Sequence, residues 1–306
     1  MKKTVLIYGI SSFVGSNLAQ LLKDDFRVVG TYYNTPVSIP GVTCVPCDVL
    51  KKEYVTNLTG WIKPDFAIYA VGMSSLKECK LKPKLADAIN TTGAINCCIA
   101  SERYRSRFIF ISSAFVLGGD DLLYKEGDTP FPITAYGGSL SATEYYVQRS
   151  CLNYLIFRCC SLYGRGFNPK HNTWFESIQG QFAKGESVVA DDFIQMGFLD
   201  VHLLGKIIKT VLEMNIQNRL FQVSSRDYMT RFDFAQKYAE IFKKDENLIQ
   251  KATVEFPVDT DKSANKDDAK RINFYKLDTS NLEEFLSTKM PSVEESLHIT
   301  YKRSHL

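Results

Sequence analysis

The apolar run FIFISS (108–113) ends in two adjacent hydroxyls, Ser112 and Ser113, and the helical pattern AYGGSLSATEYYVQ (135–148) opens beside Tyr136. A hydroxyl at the carboxyl end of a buried strand and a tyrosine at a helix start can converge on one substrate oxygen. That arrangement moves a proton to or from the oxygen, at the edge where open α/β sheets bind ligands. One helical turn past the tyrosine, where an ammonium could steady a phenolate, stands Leu140. No lysine occurs between Lys125 and Lys170, and Arg149 lies more than two helical turns beyond Leu140. Tyrosine titrates near ~10 and each pKa unit is worth ~1.4 kcal/mol, so a phenolate at neutral pH needs roughly 4 kcal/mol of help.

Holding such groups in place takes a sheet. Thr4–Tyr8 (TVLIY) is a continuous apolar run bounded by glycine, the pattern of a strand covered on both faces. The turn from Gly9 to Gly15 leads into a helix with Val14, Leu18, Leu21 and Leu22 on one side. Strands are expected at Arg27–Tyr32, 42–46, 66–71, 108–112 and 154–160, with helices over 83–104, broken at Gly93, and over 136–149. Strands alternating with helices imply βαβ units, hence an α/β fold with a Rossmann-type, doubly wound parallel sheet. After Gly164 the rhythm breaks. A helix over 174–183, a strand at 187–190, a helix over 201–214, a strand at Arg219–Val223 and a helix over 232–242 follow. The stretch 259–271 (DTDKSANKDDAKR) reads as a polar, charged loop. The expected division is a dinucleotide-binding domain over 1–164 and a smaller substrate-binding cap over 165–306, with about 198–223 returning to the first domain.

Gly9-Ile-Ser-Ser-Phe-Val-Gly15 follows a strand and opens a helix, the context a nucleotide-binding turn requires. The helix amino end offers free N–H groups and a positive dipole to a pyrophosphate. Ser12 stands where the middle glycine is usual, and its side chain is expected to crowd the phosphate; a plain tight turn stays open as the other reading. The second strand ends in Thr31-Tyr32-Tyr33-Asn34, without an acid for a ribose 2′-hydroxyl or an arginine for a 2′-phosphate. NAD and NADP both stay open, with the balance leaning to NADP. Asp48 could receive an adenine amino group or cap a helix beginning near Leu50. Arg158 lies inside an apolar strand and calls for a buried ion pair. Tyr163-Gly164-Arg165-Gly166 offers a loop with a basic group suited to nucleotide phosphates. Four histidines, at 171, 202, 298 and 305, lack metal-ligand spacing.

Composition narrows the classes. A hydrophobic share of 45% and a charged share of 23% are ordinary for a globular protein. The net charge of +3 arises from interleaved acids and bases, which gives no nucleic-acid or membrane footprint. No apolar run approaches the roughly 20 residues of a membrane helix. The start, MKKTVLIYGISSFVG, lacks a small-residue cleavage site and runs into the glycine turn, so it reads as the first strand of a cytoplasmic protein. Eight cysteines, mostly in apolar runs, suit free thiols in a reducing compartment, and Cys44-x-x-Cys47 has no second pair to complete a zinc site.

With these residues in hand, the chain resembles the extended short-chain dehydrogenase/reductases, and among them the dTDP-4-dehydrorhamnose reductase type. The resemblance runs through the turn at 9–15, Cys47-Asp48-Val49, Pro64-Asp65, Ala70-Val71-Gly72, Asn90, ISSAFVLGG (111–119), Pro132 to Gly137, Arg158 with Tyr163-Gly164, and LDTSNLEEF (277–285). It implies that Ser113 orients a sugar carbonyl and Tyr136 exchanges a proton with it, with Leu140 at the position of the family's lysine. It implies a nicotinamide cofactor held by Gly9, Ser12, Phe13, Val14, Gly15 and Thr31, with Asp48, Val49, Ala70, Val71, Gly72 and Asn90. The substrate implied is a nucleotide sugar under the cap, touching Ser112, Ala114, Arg165 and Trp174. A homodimer through the two long helices is the family habit. Without the lysine, a tyrosine that must first act as a base suffers most, whereas a reductase uses neutral tyrosine as an acid. A 4-keto sugar reductase is therefore one expectation. The other is a non-catalytic regulatory subunit that kept the fold, like the methionine adenosyltransferase regulatory subunit.

Overall fold

The computed structural model describes residues 2–167, 172–252 and 273–304. The polar stretch 259–271 and the side chains of Lys170, His171 and His305 lie outside the described residues.

The buried run β1 (Thr4–Tyr8) enters α1 (Phe13–Leu22), followed by β2 (Arg27–Tyr32), β3 (Thr43–Pro46), α2 (Lys52–Ile62) and β4 (Phe66–Tyr69). Next come α3 (Leu76–Leu81), α4 (Pro83–Asp87), α5 (Ala94–Arg103), β5 (Arg107–Ser113), β6 (Leu123–Tyr124), α6 (Ala135–Ser150) and β7 (Tyr154–Cys159). The later chain forms β8 (Ser161–Tyr163), α7 (Trp174–Lys184), β9 (Val188–Asp191), β10 (Ile194–Met196), β11 (Phe198–Asp200), α8 (Val201–Glu213) and β12 (Arg219–Val223). It closes with α9 (Arg231–Phe242), β13 (Ile249–Ala252), β14 (Asn273–Leu277), α10 (Ser280–Leu286) and α11 (Val293–Arg303).

Seven parallel strands form one sheet in the order β3-β2-β1-β4-β5-β7-β12. The order reverses between β1 and β4, which opens a crevice at their carboxyl ends. Alternation along each strand feeds two cores. Leu6, Tyr8, Ala67, Tyr69, Phe108, Phe110 and Ile156 pack on one face with residues of α2, α5 and α6. Val5, Ile7, Phe66, Ile68, Ile109, Leu155 and Phe157 pack on the other with α1 and α8. This is the Rossmann-type sheet expected from the strand–helix alternation.

Of the later segments, β12 joins the large sheet and α8 its core, while the others form three small sheets. Two-stranded pairs β8–β11 and β9–β13 and the ribbon β10-β14-β6 surround an aromatic cluster, with Phe198 and Phe234 centroids 4.6 Å apart and Tyr238 and Phe242 4.2 Å apart. Helices α7, α9 and α11 each open with a reciprocal capping box, from Thr173/Glu176, Thr230/Asp233 and Ser292/Glu295. Among the described residues no helix is long and apolar enough to cross a membrane.

Two local expectations need correcting. The helix read over 83–104 is not broken at Gly93. It widens into a π-turn over Ala88–Gly93 and continues as α5, and Gly93 leaves room there for Tyr69 Oη and Val49 Cγ2, each 2.7 Å from where a side chain would begin. Asp48 does not cap α2, which starts at Lys52. It accepts from the Leu50 N–H at 3.0 Å in a turn before the helix. Helices α3, α10 and α11 and most of the short later strands are not among the elements expected from the sequence, although α11 buries Val293, Ser296, Leu297 and Thr300 at helical spacing.

Candidate active site

Tyr136 stands in the first turn of α6, and close backbone packing puts it there. Thr134 caps the helix through the Gly137 N–H at 3.0 Å. A side chain at Gly137 would fall 1.9 Å from the Phe115 carbonyl oxygen, so only glycine lets α6 press against the short turn Ala114–Val116 that follows β5. The Tyr136 ring meets Phe115 edge-on, with centroids 6.0 Å apart. The Ser113 hydroxyl, at the end of β5, accepts from the Phe115 N–H at 3.4 Å and faces the same cavity as the tyrosine. Desolvation pushes the Tyr136 phenol well above its usual value; the nearby Ser113 hydroxyl pulls it down, while the Cys79 and Cys159 thiols push it up. No cation is among these influences. The phenol is therefore a neutral hydrogen-bond donor at pH 7, suited to give a proton to a developing alkoxide.

Tyr136, Ser113 and Ser112 face a cavity of about 260 Å³, whose walls include Ser12, Phe13 and Val14 of the glycine turn, Ala70, Val71 and Gly72 after β4, Asn90 and Leu140. Leu140 is 4% exposed and belongs to the apolar core beneath the cavity. Nothing cationic occupies its place.

The turn beside this cavity is closely built. Gly9 has φ +85°, and a side chain at Gly15 would meet the Gly9 carbonyl oxygen at 2.2 Å. Ser12 does not project toward a phosphate position. Its hydroxyl turns back and accepts from the Gly15 N–H at 2.9 Å, capping α1. The expected crowding thus becomes competition for one donor. Phe13 and Val14, whose N–H groups no helical carbonyl can reach, line the cavity. These donors with the backbone-tight turn fit a pyrophosphate.

Several other candidates have different tasks. Thr31, Asp48 and Val49 lie outside the cavity wall. The Thr31 carbonyl accepts from the Gly9 and Ile10 N–H groups at 3.1 and 2.7 Å, tying the turn to β2. Asn90 lines the cavity, but its amide clamps Met73 N–H (2.8 Å), Met73 C=O (3.0 Å) and Ser139 Oγ (3.0 Å), holding the loop after β4 against α6. Ser112 lines the cavity, and its hydroxyl donates to buried Glu144 at 2.6 Å. Glu144 also receives Arg158 Nη2 at 2.7 Å, the buried pair that Arg158 called for. Ala114 is buried in the turn after β5, and Arg165 is exposed, its carbonyl accepting from Asn17 at 3.0 Å.

Beyond Ser74, which borders both spaces, a larger cavity of about 930 Å³ opens under the cap. Trp174 forms part of its wall, packed on Phe234 with centroids 5.3 Å apart and covered by the Arg231 guanidinium at 5.1 Å. Lys77, Lys80 and Arg231 bring positive charge to the wall, opposed by buried Asp191. Burial raises the Asp191 carboxyl, partly offset by Arg231, whose Nε lies 3.9 Å away. Sequence reading missed Arg231, Asp191 and Glu144. Only the i+8 spacing of Glu144 from Tyr136, which puts both on one helical face, could have pointed to one of them.

The family described as the RmlD substrate binding domain matches residues 1–305. The chain belongs to this family. Its relatives are the dTDP-4-dehydrorhamnose reductases within the extended short-chain dehydrogenase/reductases, as the motifs implied. The RmlD-family chain is 26% identical over 302 residues to a probable low-salt glycan biosynthesis reductase, Agl14, of Haloferax volcanii, covering 95% of each. It is 21% identical over 250 residues to methionine adenosyltransferase 2 subunit beta of Danio rerio, covering 78% of this chain and 74% of that one. Its fold superposes on dTDP-4-dehydrorhamnose reductase of Bacillus anthracis, solved with NADP, with a TM-score of 0.81, 22% identity and coverage of 99% and 100%.

Proposed function

We propose that this protein is a nicotinamide-dependent reductase of a nucleotide 4-keto-6-deoxy sugar. One observation carries the reading: Tyr136 and Ser113 meet at the carboxyl edge of the sheet, in a cavity walled on its far side by a nucleotide-type turn. The dTDP-sugar reductases among its relatives support the same reaction class. A nicotinamide dinucleotide bound there supplies the hydride. Phe13 and Val14 N–H groups and the α1 amino end would hold its pyrophosphate, and the Val71–Gly72 backbone its inner half. Ser113 orients the sugar carbonyl. Tyr136, kept neutral by burial, donates the proton that the new hydroxyl needs, and Leu140 excludes water from the face where the family lysine would stand. NADP is favoured because no carboxylate at the end of β2 opposes a 2′-phosphate. Lys77, Lys80 and Arg231 suit the diphosphate under the cap. A homodimer through α5 and α6 in the cytoplasm completes the reading, with exposed Tyr145 on the outer side of α6.

The test is NADPH or NADH oxidation, followed by absorbance, against a panel of nucleotide 4-keto-6-deoxy sugars. Substrate-dependent oxidation with at least one member is expected, and none across the panel overturns the reading.

A second reading rests on Leu140 being packed into core and on the subunit-beta relative: the fold serves as a non-catalytic regulatory subunit. A stable enzyme partner in a pull-down, together with no turnover, selects it.

A further inference from the structure

Beneath the site lies a buried polar tripod that the proton transfer itself does not use. Glu144, fully buried on α6, receives Ser112 Oγ of β5 at 2.6 Å and the Arg158 guanidinium of β7 through Nε at 3.0 and 3.1 Å and Nη2 at 2.7 Å. Ser112 and Arg158 sit directly opposite each other in the β5–β7 ladder, so both reach the sheet face that α6 covers. Tyr136, Leu140 and Glu144 are spaced four apart, on one side of that helix. One carboxylate therefore ties the helix carrying Tyr136 to the strand whose next residue is Ser113.

As a source of stability such a pair is poor, because desolvation offsets much of its attraction and apolar replacements are often neutral or better. What it supplies is direction. A guanidinium holding a carboxylate through two parallel N–H bonds fixes the carboxylate plane, and the serine hydroxyl takes one of the lone pairs that remain. In relatives carrying the lysine, a side chain at position 140 could brace the tyrosine from within the site. Here position 140 is apolar, and the bracing available on this helix face is Glu144.

We infer that Ser112, Glu144 and Arg158 are positioning residues that set the Tyr136–Ser113 separation from below. The inference rests on the reductase reading only for its kinetic part. Ser112→Ala is the informative variant, since it removes the hydroxyl tie and leaves the ion pair intact, and Ser112→Thr restores the hydroxyl. The structural readout is the Tyr136 ring Cζ resonance in protein labelled with ¹³Cζ-tyrosine, assigned as the signal absent from Tyr136→Phe. Ser113→Ala, which removes the hydroxyl beside Tyr136, calibrates its displacement.

Ser112→Ala is expected to move the Tyr136 resonance in the same direction as Ser113→Ala, with a melting temperature lowered by a few degrees, and with recovery in Ser112→Thr. On a turned-over sugar, kcat should fall about tenfold, as small misplacements of reacting groups do, while the substrate KM holds within twofold. An unmoved resonance in Ser112→Ala, with Ser113→Ala displaced, overturns the inference and leaves the reductase reading standing. No displacement even in Ser113→Ala also overturns it, because the tyrosine–serine contact is then not what sets that resonance. A displaced resonance in a protein that turns over no sugar supports the positioning role and removes the reductase reading instead.

Discussion

At the scale of single residues, Tyr136 decides the direction of chemistry. Burial raises its pKa and no cation counters it, so its acid form persists as pH rises until the medium passes that raised value. Reduction should therefore hold steady from neutral pH to about 9, below the ordinary tyrosine value of ~10. Tyr136→Phe removes the donated proton, and kcat should drop by roughly 10² to 10⁴, with the substrate KM changed little in steady-state assays. Leu140→Lys places an ammonium in apolar core, and denaturant unfolding should report a loss of about 2–4 kcal/mol. The same charge favours the phenolate, so the alkaline fall of reductive activity should move to lower pH. A stability loss with an unmoved pH profile would show that the ammonium points away from the tyrosine.

At the scale of elements, two glycines control whether the site assembles. At Gly15 an added side chain strikes the Gly9 carbonyl, which belongs to backbone that cannot swing aside. Gly15→Val should abolish the rise in melting temperature that NADPH produces by linkage. Ser12→Gly exchanges one acceptable cap for another at a cost of a few tenths of a kcal/mol, and it frees the Gly15 N–H now held by Ser12. That variant should show a larger NADPH-induced shift than the wild type. At Gly137 the obstacle is the Phe115 carbonyl, so Gly137→Ala should drive α6 away from the turn after β5. The expected result is about 1–3 kcal/mol of destabilisation, typical of overpacking, and loss of turnover even in the folded fraction. Normal kcat in that variant would show that α6 need not press on the turn.

At the scale of the molecule, the two cores hide nearly all the thiol chemistry. The eight cysteines are free, and only Cys44 escapes full burial. Burial raises Cys44, Cys47 to about 12 and Cys79 to about 11, each with little thiolate at neutral pH. A colorimetric thiol reagent should label Cys44 first in the folded protein and all eight only after denaturation. Rapid native labelling of several would mean that the sheet opens. By itself the sequence determined the parallel sheet, since continuous apolar runs between glycine turns suit only strands covered on both faces. It also singled out Ser113 and Tyr136, because strand end and helix start are local features. Only the tertiary structure decided the tasks of the remaining polar groups. Ser112 and Ser113 are adjacent and chemically alike, yet Ser112 is bound to Glu144 beneath α6 while Ser113 caps the short turn after β5 and faces the cavity with Tyr136. Ser12 reads as an obstacle along the chain and becomes a cap once α1 forms behind it. Arg231 and Asp191 reach the large cavity only because α9 and β9, far apart in sequence, fold over the same edge, and no local pattern carries that information.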